Sequence, residues 1–218
     1  MALDIKICGL KTGPALDAAL AGGASHVGFI FFPKSPRNVS PAAAGALRAT
    51  ARGRAKAVAV TVDADDAALD AIVAAMAPDM LQLHGSETPA RVAAVKARYG
   101  LPVMKALAVS AAADLAAARP FFTVADRMLF DAKPPKGSQL PGGNGVAFDW
   151  SLLAALDPGA DYMLSGGLNA ANVGDALRIG NPPGIDVSSG VESAPGVKDT
   201  ALIDDFFAAV RAAHMPAG

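Results

Sequence analysis

A lone cysteine, four polar side chains in or near strand-end motifs and two glycine-rich turns are the features of this chain with chemical potential. Cys8 sits directly before Gly9 at the end of an apolar run. A free cysteine is usually a small buried hydrophobe. As a catalyst it needs thiolate character, which nearby positive charge or helix dipoles would supply. Lys6 stands two residues earlier and helps only if both side chains point inward. Asp131 closes a second run, in LFDAKPP. It reads either as a cap for the following loop or, facing a thiol across a shared mouth, as a general acid. A base and an acid so placed move a proton off one atom and onto another, the chemistry of an isomerisation.

Arg37 lies in the proline-flanked stretch FFPKSPRNV, where a rigid loop could hold its guanidinium for bidentate contact with a carboxylate; otherwise it is a surface arginine. His84, in LQLHG, is either a satisfied strand-end histidine or a polar site lining. Asp186, in GIDVSSG, reads as a buried structural acid or a ligand contact. Two turns, LSGGL at 164–168 and VSSG at 187–190, suit an anion: glycine lets backbone N–H groups approach and serine adds a donor. Gly166, Gly167, Ser189 and Gly190 are the phosphate candidates, with 190–197 as a possible extra helical turn; the alternative is that both are only tight turns.

These residues need elements to hold them. Near-continuous apolar runs at 4–8, 26–30, 56–62, 80–83, 102–107, 127–131, 160–164 and 184–187 read as parallel strands buried on both faces. Alanine-rich stretches at 14–21, 41–51, 66–76, 88–99, 111–118, 150–156, 170–179 and 199–213 read as helices. Ser40, Asp149 and Asn169 stand as caps, and Gly100 and Gly180 as left-handed terminators. Strand–helix alternation implies right-handed crossovers, and eight units most simply close into a single (β/α)₈ barrel over residues 1–218. An open doubly wound sheet is the alternative, but no GxGxxG or GxxxxGK[ST] follows any strand. In a barrel those strand ends share one mouth, and the Pro- and Gly-rich 132–148 reads as a functional loop.

Composition narrows the classes. Nineteen Lys and Arg against twenty Asp and Glu leave a net charge of -1, which argues against a nucleic-acid surface. No apolar run reaches the roughly 18–20 residues of a membrane span. The opening MALDIKICGL lacks the basic and apolar regions of a signal peptide, and one cysteine fits a reducing compartment, so a cytoplasmic protein is expected. His26 and His214 have no zinc-like spacing, and no metal is expected. A monomer is expected, with a homodimer as the alternative.

IKICGL at 5–10, GFIFFPKSPRNV at 28–39, LQLHGSE at 81–87, LSGGLNAANV at 164–173 and GIDVSSGVESAPGVKD at 184–199 together resemble the phosphoribosylanthranilate isomerases. The resemblance spans essentially the whole chain. It implies a (β/α)₈ barrel of tryptophan biosynthesis that converts N-(5-phosphoribosyl)anthranilate to 1-(2-carboxyphenylamino)-1-deoxyribulose 5-phosphate by an Amadori rearrangement without a cofactor. By motif, Cys8 is then the general base, Asp131 the general acid, Arg37 the contact to the anthranilate carboxylate, and the two glycine turns the phosphate site. His84 and Asp186 are assigned to substrate binding.

Two departures stand out. Lys11 intervenes before Thr12, where the family often has threonine directly after ICGL. Residues 142–148 read GGNGVAF, so Asn144 and Val146 replace a hydroxyl and a cation, with Lys133 or Lys136 as nearby sources of charge. Two other readings compete. A related barrel isomerase of a histidine-pathway aminoaldose phosphate is expected to carry aspartate where Cys8 stands. A silent sugar-phosphate binding module would keep the turns but have no need of thiol, acid and arginine together.

Overall fold

The structure is a computed structural model that describes residues 3–133, 137, 138, 140–143, 145, 147–157 and 159–214. Eight strands run in chain order: β1 Asp4–Cys8, β2 His26–Phe31, β3 Lys56–Thr61, β4 Met80–Leu83, β5 Val103–Val109, β6 Arg127–Ala132, β7 Tyr162–Leu164 and β8 Gly184–Val187. Each pairs in parallel with the next, and β1 pairs with β8, so the sheet closes into the expected barrel. Around it lie α1 Gly13–Gly22, α2 Pro41–Ala51, α3 Asp66–Met76, α4 Pro89–Tyr99, α5 Ala112–Ala118, α6 Val173–Gly180 and α7 Thr200–His214. Among the described residues no helix is long and apolar enough to cross a membrane. Asn144, Val146 and Lys136 lie outside the described residues.

Local chemistry explains the helix starts. Ser40 accepts from the Ala43 amide (3.2 Å), Asp65 from Ala68 (2.8 Å) and Thr88 from Arg91 (3.2 Å), each satisfying a donor the first turn leaves open. Gly100 closes α4 with φ 62°, as expected, but the left-handed residue after α6 is Asn181 (φ 38°) rather than Gly180. Residues 150–156 do not form an α-helix: Trp150–Ala155 is a 3-10 helix whose first turn is capped by Asp149. Asn169 caps a turn one step early, accepting from Ala171, and α6 starts only at Val173. After β8 comes a single 3-10 turn, Ser189–Val191, followed by a hairpin, β9 Glu192–Ala194 with β10 Val197–Lys198, where a helical turn was expected.

The barrel wall separates two apolar bodies. Outside it, strand and helix side chains form one large core. Inside, Val58, Val60, Met80, Met104, Ala106, Leu129 and Met163 fill the bore and reach up to Cys8. The bore's lower end is closed by charge. Arg127, at the start of β6, reaches Asp4 of β1 (2.7 Å) and Asp161 (2.6 Å).

His26 is buried at this end, with Nδ1 2.8 Å from Ser25 Oγ and Nε2 bonded to no protein group. Burial pushes its pKa from 6.5 down to about 4, against the pull of Asp4. Between those values the unfolded chain binds a proton that the folded one refuses, so stability falls as pH drops from about 6.5 toward 4 and is flat above. The expected loss is about 3 kcal/mol, from about 1.4 kcal/mol per pH unit. Urea midpoints at pH 7 and pH 4.5 check it. In His26→Gln the same acidification should cost measurably less, and equal losses in the two proteins would rule His26 out as the source.

Candidate active site

At the carboxyl ends of the strands lies an opening of about 660 Å³, including its solvent-open part. Cys8 from β1 and Asp131 from β6 both line it, so thiol and carboxyl serve one space. Cys8 is 5% exposed, and the inward position beside it on β2 is Gly28. A Cβ there would stand 2.9 Å from Cys8 Sγ and 3.1 Å from Lys6 Cε, so the glycine makes room for both side chains.

Lys6 therefore does point inward, beneath the thiol. It is fully buried and bonded to Asp186 Oδ1 (2.8 Å), whose other oxygen accepts from Ser165 Oγ (3.3 Å). Burial works against the Lys6 ammonium, but Asp186 and Cys8 more than offset it, and its pKa lies above the ordinary value. Burial also pushes the Cys8 thiol up; Lys6 and Lys198 pull it down, while Asp186 adds to the rise. Asp186 reaches the cavity wall with both carboxylate oxygens already engaged by the protein.

Asp131 faces the cavity and also makes a local capping contact. Oδ1 accepts from the Ala132 amide (2.9 Å), a local cap, while Oδ2 lies 3.4 Å from His84 Nε2. His84 Nδ1 in turn is 3.0 Å from Gln82 Nε2, so a buried Gln82 backs the His84 and Asp131 that line the wall. Gln82 did not stand out in the sequence, although its inward position follows from strand alternation. Gly142, from the loop after β6, lies over this pair: a Cβ there would be 2.4 Å from Asp131 Oδ2 and 2.8 Å from His84 Nε2.

Arg37 lines the same cavity, but its bidentate partner is internal. Nε and Nη2 each donate to Glu192 at 2.8 Å, and Nη2 also reaches the Gly143 carbonyl (3.3 Å). Of the anion-binding candidates, Gly166, Gly167 and Ser189 line the cavity, together with Ser188. Gly166 (φ 91°) and Gly167 (φ 65°) form a left-handed turn whose Gly167 carbonyl is tied back by Asn172 Nδ2 (2.9 Å). Such turns aim N–H groups into a concavity that suits phosphate. Gly190 does not line the cavity. A Cβ there would stand 1.8 Å from the Leu168 carbonyl, so this glycine lets the two turns pack together. Ile30, Phe32, Val60, Val62, Leu140 and Leu168 supply an apolar wall opposite these polar groups.

Known proteins match this chain over nearly its full length. The family model for N-(5'-phosphoribosyl)anthranilate isomerase matches residues 5–209. The Mesorhizobium japonicum N-(5'-phosphoribosyl)anthranilate isomerase is 78% identical over 214 residues, covering 98% of each chain. The phosphoribosyl anthranilate isomerase of Thermotoga maritima superposes with a TM-score of 0.86 at 32% identity, covering 97% of this chain and 100% of that one. A further isomerase structure, holding reduced 1-(o-carboxyphenylamino)-1-deoxyribulose 5-phosphate, gives 0.83 at 30% identity over 97% of this chain and 100% of that one. A closed barrel with thiol, acid, arginine and glycine turns at one mouth, matched over nearly its full length, belongs to the N-(5'-phosphoribosyl)anthranilate isomerase family.

Proposed function

We propose that this chain isomerises N-(5'-phosphoribosyl)anthranilate with Asp131 as general acid and Cys8 as general base, in a single barrel domain spanning residues 1–218. The observation that carries the assignment is that both groups line one cavity whose rim holds the Gly166–Gly167 and Ser188–Ser189 turns. In this reading the phosphate sits on those turns, the aromatic ring lies along the Ile30–Phe32 and Leu140 wall, and Arg37 meets the ring carboxylate.

Asp131 protonates the ribose ring oxygen, and the C1–O bond breaks to leave an iminium between C1 and the anthranilate nitrogen. The iminium acidifies the C2–H bond, and Cys8 takes that proton to give an enolamine. Protonation at C1 and loss of the C2 hydroxyl proton complete the ketose. Two protons enter the substrate, at the ring oxygen and C1, and two leave, from C2 and its hydroxyl, so the enzyme ends as it began. The Lys6 and Lys198 ammonium groups favour the thiolate at this step, against burial and Asp186, which together hold the resting thiol above its ordinary range.

A free thiol fits a reducing compartment, and we place the enzyme in the cytoplasm. The large apolar side chains exposed among the described residues, Phe122, Ile179 and Val197, lie on separate elements, in keeping with a monomer. The test follows loss of substrate fluorescence. Purified protein should consume N-(5'-phosphoribosyl)anthranilate, and Arg37→Met should raise KM about 10- to 100-fold, the worth of a charge-assisted hydrogen bond. Unchanged KM and kcat would remove Arg37 from the substrate's carboxylate.

A further inference from the structure

Arg37 is held by a buried triad that no motif reading assigned. Glu192, on β9, carries two cations: Arg37 on its fork and Lys198, on β10, at 2.6 Å. All three side chains are almost fully buried. Lys198 Nζ also bonds the Ser188 carbonyl (2.8 Å) and hydroxyl (3.3 Å), and Ser188 Oγ donates to the Cys8 carbonyl (3.1 Å). The hairpin is clamped against the arginine's own loop. The Gly196 amide donates to Glu192 Oε2 (3.1 Å), and a Cβ on Gly196 would stand 2.4 Å from the Pro36 carbonyl.

The donors can be counted. A guanidinium has five N–H bonds. Glu192 takes two, on Nε and Nη2, and Gly143 takes the second Nη2 hydrogen. Among the described residues none takes the two on Nη1, which lie beside Gly143 at the cavity. The charge balance points the same way. Arg37 and Glu192 alone would cancel and offer an incoming anion little attraction; Lys198 leaves the triad with two cations against one anion, a net positive charge. We propose that Glu192 is a positioning residue, supported by Lys198, that presents Nη1 of Arg37 to the substrate and so sets the enzyme's preference for a carboxylate on the aromatic ring. The proposal rests on the reading that Arg37 meets that carboxylate.

The experiment compares binding of reduced 1-(2-carboxyphenylamino)-1-deoxyribulose 5-phosphate with that of the same compound lacking the ring carboxylate. The wild type should prefer the carboxylated probe about 10- to 100-fold, and Arg37→Met should abolish the preference. Glu192→Gln keeps the shape and loses the charge, whereas Glu192→Asp keeps the charge and is one methylene too short for the fork. Both should lower the preference at least about 5-fold, since each disturbs a charge-assisted bidentate contact, with the kinetic loss in KM rather than kcat. Wild-type preference in both glutamate variants, with preference lost in Arg37→Met, would overturn the role of Glu192 alone. Preference retained in Arg37→Met would overturn the underlying reading as well. If the glutamate variants do not fold, nitrogen-15 NMR of the wild type decides. The Arg37 Nε–H signal, assigned by its absence in Arg37→Lys, should exchange slowly both free and probe-bound, and rapid exchange in the bound state would sink the proposal.

Discussion

Cys8→Ala should fold, bind the reduced product analogue and turn over about 10²- to 10⁴-fold more slowly, the range expected when a positioned proton acceptor is removed. The thiol is small and sits at the cavity wall, so its loss opens little new space in the core. Cys8→Ser is the sharper control. It keeps the shape, but a hydroxyl gives up its proton far less readily than a thiol, so the loss should be similar. Rates of fluorescence decay at saturating substrate check both variants. Turnover within about tenfold of wild type in the alanine variant would leave the C2 proton without its proposed acceptor, since even a modest general base is worth more.

Asp131→Asn should cost a comparable factor of about 10²–10⁴ in kcat, with little change in KM. The amide preserves the contact to the Ala132 amide through its oxygen but has no proton to give the ring oxygen. The double variant is the more searching test. Groups that act as a unit on one molecule are grossly non-additive, so Cys8→Ala with Asp131→Asn should be scarcely slower than the worse single change. A double variant slowed by the full product of the two factors would mean that the thiol and the carboxyl contribute independently.

Much of the barrel was legible because parallel strands covered on both faces are written as unbroken apolar runs, and these survive weak helix signals. Cys8, Asp131 and Arg37 could be placed at one mouth because each ends a strand or lies in the loop just after one. What escaped was pairing between distant positions. Glu192 reaches Arg37 across 155 residues, and nothing in ESAPG marks a buried carboxylate. His84 was legible as a mouth residue, but its contact with Asp131 depends on a side-chain direction that no pattern records. Lys6 turned on parity: two residues along a strand restore the same face, and the face itself was settled only by barrel closure. Gly190 was legible only as part of a turn: the close approach of the Leu168 carbonyl, which also requires a glycine there, comes from a loop 22 residues away.

The bore of this barrel is stratified. Ionised groups occupy its top, where Lys6 meets Asp186, and its base, where Arg127 meets Asp4, with methionine, valine and leucine between them. Hydrocarbon screens charge far less than water does, and Lys6 above and Arg127 below both act on His26, so a charge altered at the base is felt by the chemistry above. Heat tolerance and catalytic tuning are therefore joined traits in this molecule, the two poles of a single axis answering to each other's charge.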